Sequence, residues 1–399
     1  MASGAASVLQ CEIKPSEPSI AVGLVAAAVA HFSVDLCAGI WPVFKTLARL
    51  DLTKAGMVAT AGSLIGNGLQ PLFGVLADRG WRKPLLVIGV ILAGAVTFVP
   101  YFENFLWLFL LMLLTSLGSA AFHPAGTGAS SSLSTRRTGI VVAVFLMGGT
   151  FGYAASQLIF SAAYLGLRGS TAVLFVIPLV AAAIAARLHP PKSGDHAVAA
   201  SKVAFRTQFE SIRALFLIQV FASFVNMALI FLLPDLLLAK GVPLWIVRGG
   251  GHAALVAGGA LSLLPAGFAT DRFGASRVLL ISNLLSGVFL AALIWSAGST
   301  ALVLVSAIGF GAFNGVNNIV AIAEGNRSFP GRASAVSALL MGLPWCFSSM
   351  APLIAGWLAN PMHSGNPVVA LSWISLCVPV VLLVSTNVPR RRTEVEHVH

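Results

Sequence analysis

Apolar runs of about 20 to 25 residues follow one another along this chain, and a helix of that length crosses roughly 30 Å of hydrocarbon. Twelve are predicted, over residues 20–44, 56–77, 84–102, 105–131, 138–165, 170–188, 209–236, 245–269, 276–297, 300–324, 333–358 and 366–387. Only 9% of the 399 residues are charged and 57% are hydrophobic. A soluble domain carries roughly 25% charged residues, so water is not the solvent for most of this surface. Chains that span lipid must satisfy their own backbone groups, as helices and closed barrels do. Barrel strands would alternate apolar and polar over about 10 residues, and these runs do not. The fold class expected is an all-α polytopic membrane protein with 12 transmembrane helices.

The charge clusters between the runs carry an echo. Gly74-Val-Leu-Ala-Asp78-Arg79-Gly80-Trp81-Arg82-Lys83 returns as Gly267-Phe-Ala-Thr-Asp271-Arg272-Phe-Gly274-Ala275-Ser276-Arg277. Other pairs share nearly the same offset: Pro42 with Pro234, Pro71 with Pro265, and Leu146-Met147-Gly148 with Leu340-Met341-Gly342. Six spans per copy give both copies the same orientation, so two pseudo-symmetric six-helix bundles are predicted. The polar stretch at the midpoint, beginning His189-Pro190-Pro191-Lys192, separates them. The expected boundaries are a tail over 1–19, bundles over 20–188 and 209–388, a linker over 189–208 and a tail over 389–399.

The formal net charge of +11 invites a nucleic-acid reading, but its placement argues for topology instead. With the N-terminus inside, inner segments hold 18 Lys and Arg and outer segments hold six. That bias obeys the positive-inside rule and predicts an inner cell membrane protein with both termini in the cytoplasm. Anionic lipid of the inner leaflet is then the natural partner of the basic loops, and no nucleic acid is expected. Residues 1–19 are polar, with Glu12, Lys14 and Glu17, and read as a tail with no cleavable signal. Cys11, Cys37, Cys346 and Cys377 show no metal or redox spacing. No metal and no cofactor are expected.

Gly-x-x-x-Asp-Arg-x-x-Arg-Lys between spans 2 and 3 resembles the loop signature of the major facilitator superfamily, with Trp81 where that family usually has Gly. Three further strings resemble the fosmidomycin-resistance-protein group within it: His31-Phe-Ser-Val-Asp35, Gly118-Ser-Ala-Ala-Phe122-His123-Pro124, and Gly148-Gly149-Thr-Phe-Gly152. The resemblance implies a secondary transporter that works by alternating access, expected to be monomeric. It also implies that spans 1 and 4 line a central cavity. The signature residues Gly74, Asp78, Arg79, Arg82 and Lys83, with Asp271 and Arg272 in the second copy, would then form a conformational latch between bundles. Gly139, Gly148 and Gly152 match the start of the superfamily's antiporter signature, whose continuation is replaced here by Tyr153 and Ser156-Gln157.

Ionisable groups at bilayer depth mark pathways and relays. His31 and Asp35 are one helical turn apart on one face, and an imidazole beside a buried carboxyl can hold or pass a proton near neutral pH. His123 precedes Pro124, which removes a helical hydrogen bond and frees carbonyl capacity beside the imidazole. These three residues are the predicted proton-coupling group and part of the substrate site. In the second copy, His31 aligns with Ser223, Asp35 with Met227 and His123 with Asn317. Asn226, Asn314, Asn317 and Asn318 cannot carry a proton. They suit either cargo recognition or bridges between packed helices. Glu324 beside Arg327 reads as an interfacial ion pair, and His252 as peripheral.

The function expected is proton-coupled export of a small polar or amphiphilic compound, with a drug or phosphonate-like anion as the cargo the resemblance implies. Import of an organic anion or metabolite is the alternative, and a receptor or scaffold that has lost transport is a third reading. No nucleophile–base pair or catalytic spacing appears, so an enzyme is not expected.

Overall fold

The computed structural model describes residues 17–133, 138–167, 169–188, 205–328 and 338–388, and among them all regular structure is helical. The first half holds α1 (Glu17–Ala38), α2 (Trp41–Leu47), α3 (Leu52–Leu76), α4 (Arg82–Ala93), α5 (Phe105–Ser131), α6 (Thr138–Gly166) and α7 (Val176–Ala185). The second holds α8 (Phe205–Ala239), α9 (Gly251–Phe273), α10 (Ala275–Trp295), α11 (Thr300–Ser328), α12 (Leu343–Ser348), α13 (Ala351–Ala359), α14 (Pro367–Ile374) and α15 (Cys377–Ser385).

Among the described residues nine helical stretches are long and apolar enough to cross a membrane. One of them, Leu52–Tyr101, covers the second and third predicted spans. Two shorter apolar helices, Thr171–Ala185 and Leu343–Ala359, fall on the sixth and eleventh. Every predicted span therefore has a helix. Large apolar side chains such as Leu261, Leu264 and Phe268 lie exposed on the flanks, as a lipid-facing surface requires. The predicted linker differs at its end, because 205–208 already belong to α8; 189–204, 1–16 and 389–399 lie outside the described residues.

Local chemistry sets the helix ends. Asp51 caps α3 by accepting from the Lys54 N–H at 2.8 Å, and Asn104 and Asn366 cap α5 and α14 in the same way. The two copies of the loop signature turn on glycine. Gly80 has φ +98° between α3 and α4, and Gly274 has φ +82° between α9 and α10. That backbone region is open to Gly without steric cost, which explains why a glycine stands in both echoes.

Close packing comes from small residues. A Cβ added at Gly148 or Gly152 on α6 would lie 2.3 Å from the Ala28 carbonyl oxygen or 2.1 Å from that of Phe32, so α6 rides directly on the α1 backbone. The second half repeats the device between α9 and α11, with Gly258 against the Ile308 carbonyl and Gly311 against that of Leu255.

The halves meet at one end. Lys45, fully buried at the end of α2, forms an ion pair with Asp235 of α8. The same carboxylate accepts from Thr46 Oγ1 at 2.9 Å, and the Lys45 ammonium lies 4.5 Å from the Phe231 ring centre. The Asn360 amide donates to Asp51 and Thr53, both at 2.9 Å. Gly56 faces the Pro352 carbonyl and Gly356 that of Leu52, bringing α3 and α13 into backbone contact. A further contact between the halves joins α9 to α6, where the His252 ring donates from Nε2 to the Tyr153 carbonyl at 2.9 Å. Further along α3, Asn67 donates to Ser349 Oγ at 3.0 Å. At the opposite end, where the loop signatures sit, Arg82 bonds to Asp78 in the first half, and Arg327 bonds to Asp271 and Glu324 in the second.

Candidate functional site

His31 and Asp35 sit one turn apart on α1, and α5 brings His123 to the same point. His31 Nε2 lies 3.3 Å from Asp35 Oδ2, and His123 Nε2 lies 3.3 Å from Asp35 Oδ1. The other nitrogen of each ring is spoken for. His31 Nδ1 donates to the Phe145 carbonyl of α6, and His123 Nδ1 to the Ser119 carbonyl one turn back, both at 2.8 Å. A carbonyl oxygen only accepts, so both Nδ1 atoms carry hydrogen and both Nε2 atoms turn to the carboxyl.

The surroundings hold this arrangement still. Phe145 stacks on His31 with ring centres 4.2 Å apart, and Phe122 packs at 5.7 Å. Gly149 of α6 leaves the space beside the group open. A Cβ there would lie 2.4 Å from His31 Nε2 and 2.5 Å from Asp35 Oδ2. Access is graded, with side-chain exposures of 4% for His31, 21% for Asp35 and 33% for His123. The group is therefore closed on the His31 side and reachable past His123.

The second half does something else with its equivalent positions. Asn317 and Asn283 form a reciprocal amide pair, each donating to the other at 2.9 Å, and both are buried. Asn318 accepts from the Gln219 amide. These two asparagines, expected either to contact a cargo or to bridge packed helices, form bridges among α8, α10 and α11. Asn226 and Asn314 are half-buried, and Asn314 lines a small cleft with Asn283, Ser286 and Val378.

The latch residues stay local. Asp78 and Arg79 are exposed, and Arg82 folds under the loop to Asp78 at 3.3 Å and lies over Gly128 of α5. Lys83 is half-buried, and Gly74 passes Pro124. In the second copy the carboxylate of Asp271 pairs with Arg327, which also holds Glu324 at 2.8 Å, while Arg272 lies over Phe273. The Glu324–Arg327 pair matches its expectation; the link to Asp271, two helices away in sequence, was not foreseen.

Sequence reasoning missed the ionisable groups that join the halves. Neither Lys45 nor Asp235 is singled out by composition or motif, and His252 reads as peripheral. A signal existed: Lys45 and Asp235 stand beside the matched prolines Pro42 and Pro234, so they occupy equivalent ends of the two bundles.

A model of the Major Facilitator Superfamily matches residues 23–250, more than half of the chain. The chain belongs to this superfamily. It is a multi-pass membrane transporter and not an enzyme. The fosmidomycin resistance protein of Escherichia coli (strain K12) is 24% identical over 337 residues, 82% of each chain. The uncharacterized MFS-type transporter YfnC of Bacillus subtilis (strain 168) is 23% identical over 148 residues, 34% of this chain and 36% of that one. Among solved structures, nucleoside transporter NupG superposes with a TM-score of 0.71 at 15% identity, over 92% of this chain and 98% of that one. A bacterial homolog of the human lysosomal transporter Spinster, inward-facing and unoccupied, gives 0.68 at 18% identity over 94% and 93%. At these identities the structural likeness concerns the fold.

Proposed function

We propose that this transporter is a proton-coupled exporter of a small polar or amphiphilic compound, with Asp35, His31 and His123 as its proton-handling group. The observation that carries the reading is the carboxyl of Asp35 held between two Nε2 atoms at 3.3 Å whose partner nitrogens are already bonded. With both Nδ1 atoms protonated, each Nε2 meets Asp35 with a lone pair unless one more proton sits between them. A proton added there closes a bond between α1 and α5, or within α1; a proton lost sets lone pair against lone pair. Uptake and release thus change the attraction between two cavity-lining helices, the differential that alternating access needs.

Helix α6 links this group to the contacts between halves. Gly149 lies against the triad, and Tyr153, one turn further on, accepts the bond from His252. With the loop signatures on the cytoplasmic side, the joined end is the outer one. Export is favoured over import by the fosmidomycin resistance relative, which spans most of the chain. Asn226 and Asn314, both half-buried, are the second-half asparagines we assign to cargo contact.

Everted vesicles with an imposed pH gradient test both parts. Fosmidomycin, taken from a panel of growth inhibitors as the first probe, should accumulate in vesicles bearing the protein and not in those bearing Asp35→Asn. Accumulation in right-side-out vesicles instead would reverse the direction, and proton-linked flux surviving in Asp35→Asn would remove the triad from the coupling.

A further inference from the structure

We propose that His31, Asp35 and His123 also form a binding site for a divalent transition-metal ion of the Zn²⁺ class, a role beyond proton coupling.

One ligand atom from each residue lies within 4.8 Å of the others. The two Nε2–oxygen separations are both 3.3 Å. A charge-assisted N–H···O bond runs about 2.7–2.9 Å, so these contacts are long for direct hydrogen bonds. Tetrahedral zinc with bonds of about 2.0–2.1 Å places neighbouring ligand atoms about 3.3 Å apart, and each imidazole stands at that distance from one oxygen of Asp35, His31 from Oδ2 and His123 from Oδ1. The set as a whole spans up to 4.8 Å, so closing it on one ion requires the Asp35 carboxylate and the His123 side chain, the most exposed of the three, to draw in.

The outer shell supports the same reading. A ligating histidine almost always donates its other ring N–H to a carbonyl or carboxylate, which fixes the tautomer and aims the free lone pair at the metal. Both imidazoles do this here, through Phe145 and Ser119, on two different helices. Gly149 supplies the room, because a methyl group there would stand 2.4 Å from one ligand atom and 2.5 Å from another. Two imidazoles and one carboxylate leave at least one coordination position open, on the accessible His123 side. That is the layout of an open zinc site, with a place for water or for an anionic cargo group. An ion there ties α1 to α5 and occupies the atoms that the proton reading uses, so transport stops while it is bound; this last consequence alone rests on that reading.

The test uses the purified full-length chain, free of any polyhistidine tag, in nanodiscs. Zn²⁺ is titrated by calorimetry, and Co²⁺ is followed by its visible ligand-field absorption. One ion per chain is expected, with intense Co²⁺ bands indicating tetrahedral N/O ligation. His123→Ala and Asp35→Asn should each weaken binding at least about 10-fold. Gly149→Ala, which keeps all three ligands, should do so too. His123→Cys, which restores a zinc ligand, should recover Zn²⁺ affinity and shift the Co²⁺ spectrum through a new sulfur charge-transfer band. Absent stoichiometric binding, or binding that these substitutions leave untouched, overturns the site. Proton-linked flux measured separately in chelator-treated vesicles keeps the two readings apart. Loss of flux in Asp35→Asn without Zn²⁺ binding in the wild type sinks the metal and spares the proton, and the reverse pattern does the opposite.

Discussion

The two halves share a frame and differ in what they put into it. In the first, α1 and α5 bring Asp35 between His31 and His123. In the second, the aligned positions are Ser223, Met227 and Asn317, and the last is locked into an amide pair with Asn283. Even the matched prolines behave differently: Pro42 starts the short separate helix α2, whereas Pro234 lies inside the continuous α8. A duplicated bundle thus kept its packing while one copy alone carries titratable groups at these three positions. The lesson is that pseudo-symmetry describes the scaffold, and chemistry is found where the symmetry fails.

The strongest way to break that contrast is to remove the titratable group from the first half. Asp35→Asn should abolish proton-linked flux in proteoliposomes, whereas Asn317→Ala should leave such flux measurable. Equal losses from both would mean that the halves share the work.

Next in size is the buried pair that joins the halves. Breaking a buried ion pair by removing one partner costs about 3–5 kcal/mol, because the other charge stays buried alone. Lys45→Ala should therefore open the joined end, raising reagent labelling of a cysteine placed at Thr53. The double variant Lys45→Met with Asp235→Leu should label much less than the single one, since apolar replacement leaves no orphan charge. Unchanged labelling in Lys45→Ala would show that the remaining contacts hold the end shut by themselves.

Smaller effects separate packing from function. Gly152→Ala pushes a methyl toward the Phe32 carbonyl and should destabilise by about 1–3 kcal/mol, read as a lower melting temperature. Asn283→Ala should cost about 1 kcal/mol, leaving Asn317 without its bridge, with little change in cargo affinity. A large loss of affinity there would place Asn317 in the cargo site.

The smallest effect concerns Asp51, outside the spans. Burial pushes its pKa up, but the Lys54 N–H and the Asn360 amide bonded to the carboxylate outweigh this and hold it below the usual value. A depressed pKa stabilises the bonded state above the ordinary carboxylate range, and that contribution fades as pH falls through the lowered value. Contact between the halves at Asn360 should accordingly be constant around neutrality and loosen only in strong acid. Asp51→Asn should remove that acid sensitivity, checked by labelling at Thr53 across pH.

The twelve spans, the duplication and the membrane class were all legible in the sequence, because hydrocarbon imposes a length and a polarity on any chain that crosses it. The i,i+4 spacing of His31 and Asp35 was legible for a similar reason, since it follows from helix geometry alone. What tertiary structure decided was which distant groups meet. It set His123 against Asp35 across 88 positions of sequence, buried Lys45 on Asp235, joined Asp271 to Arg327 and paired Asn317 with Asn283. Local propensity and hydropathy see neighbours along one helix. Contacts between helices depend on the crossings that small residues such as Gly148, Gly149 and Gly152 permit, and those distances exist only once the bundle is packed.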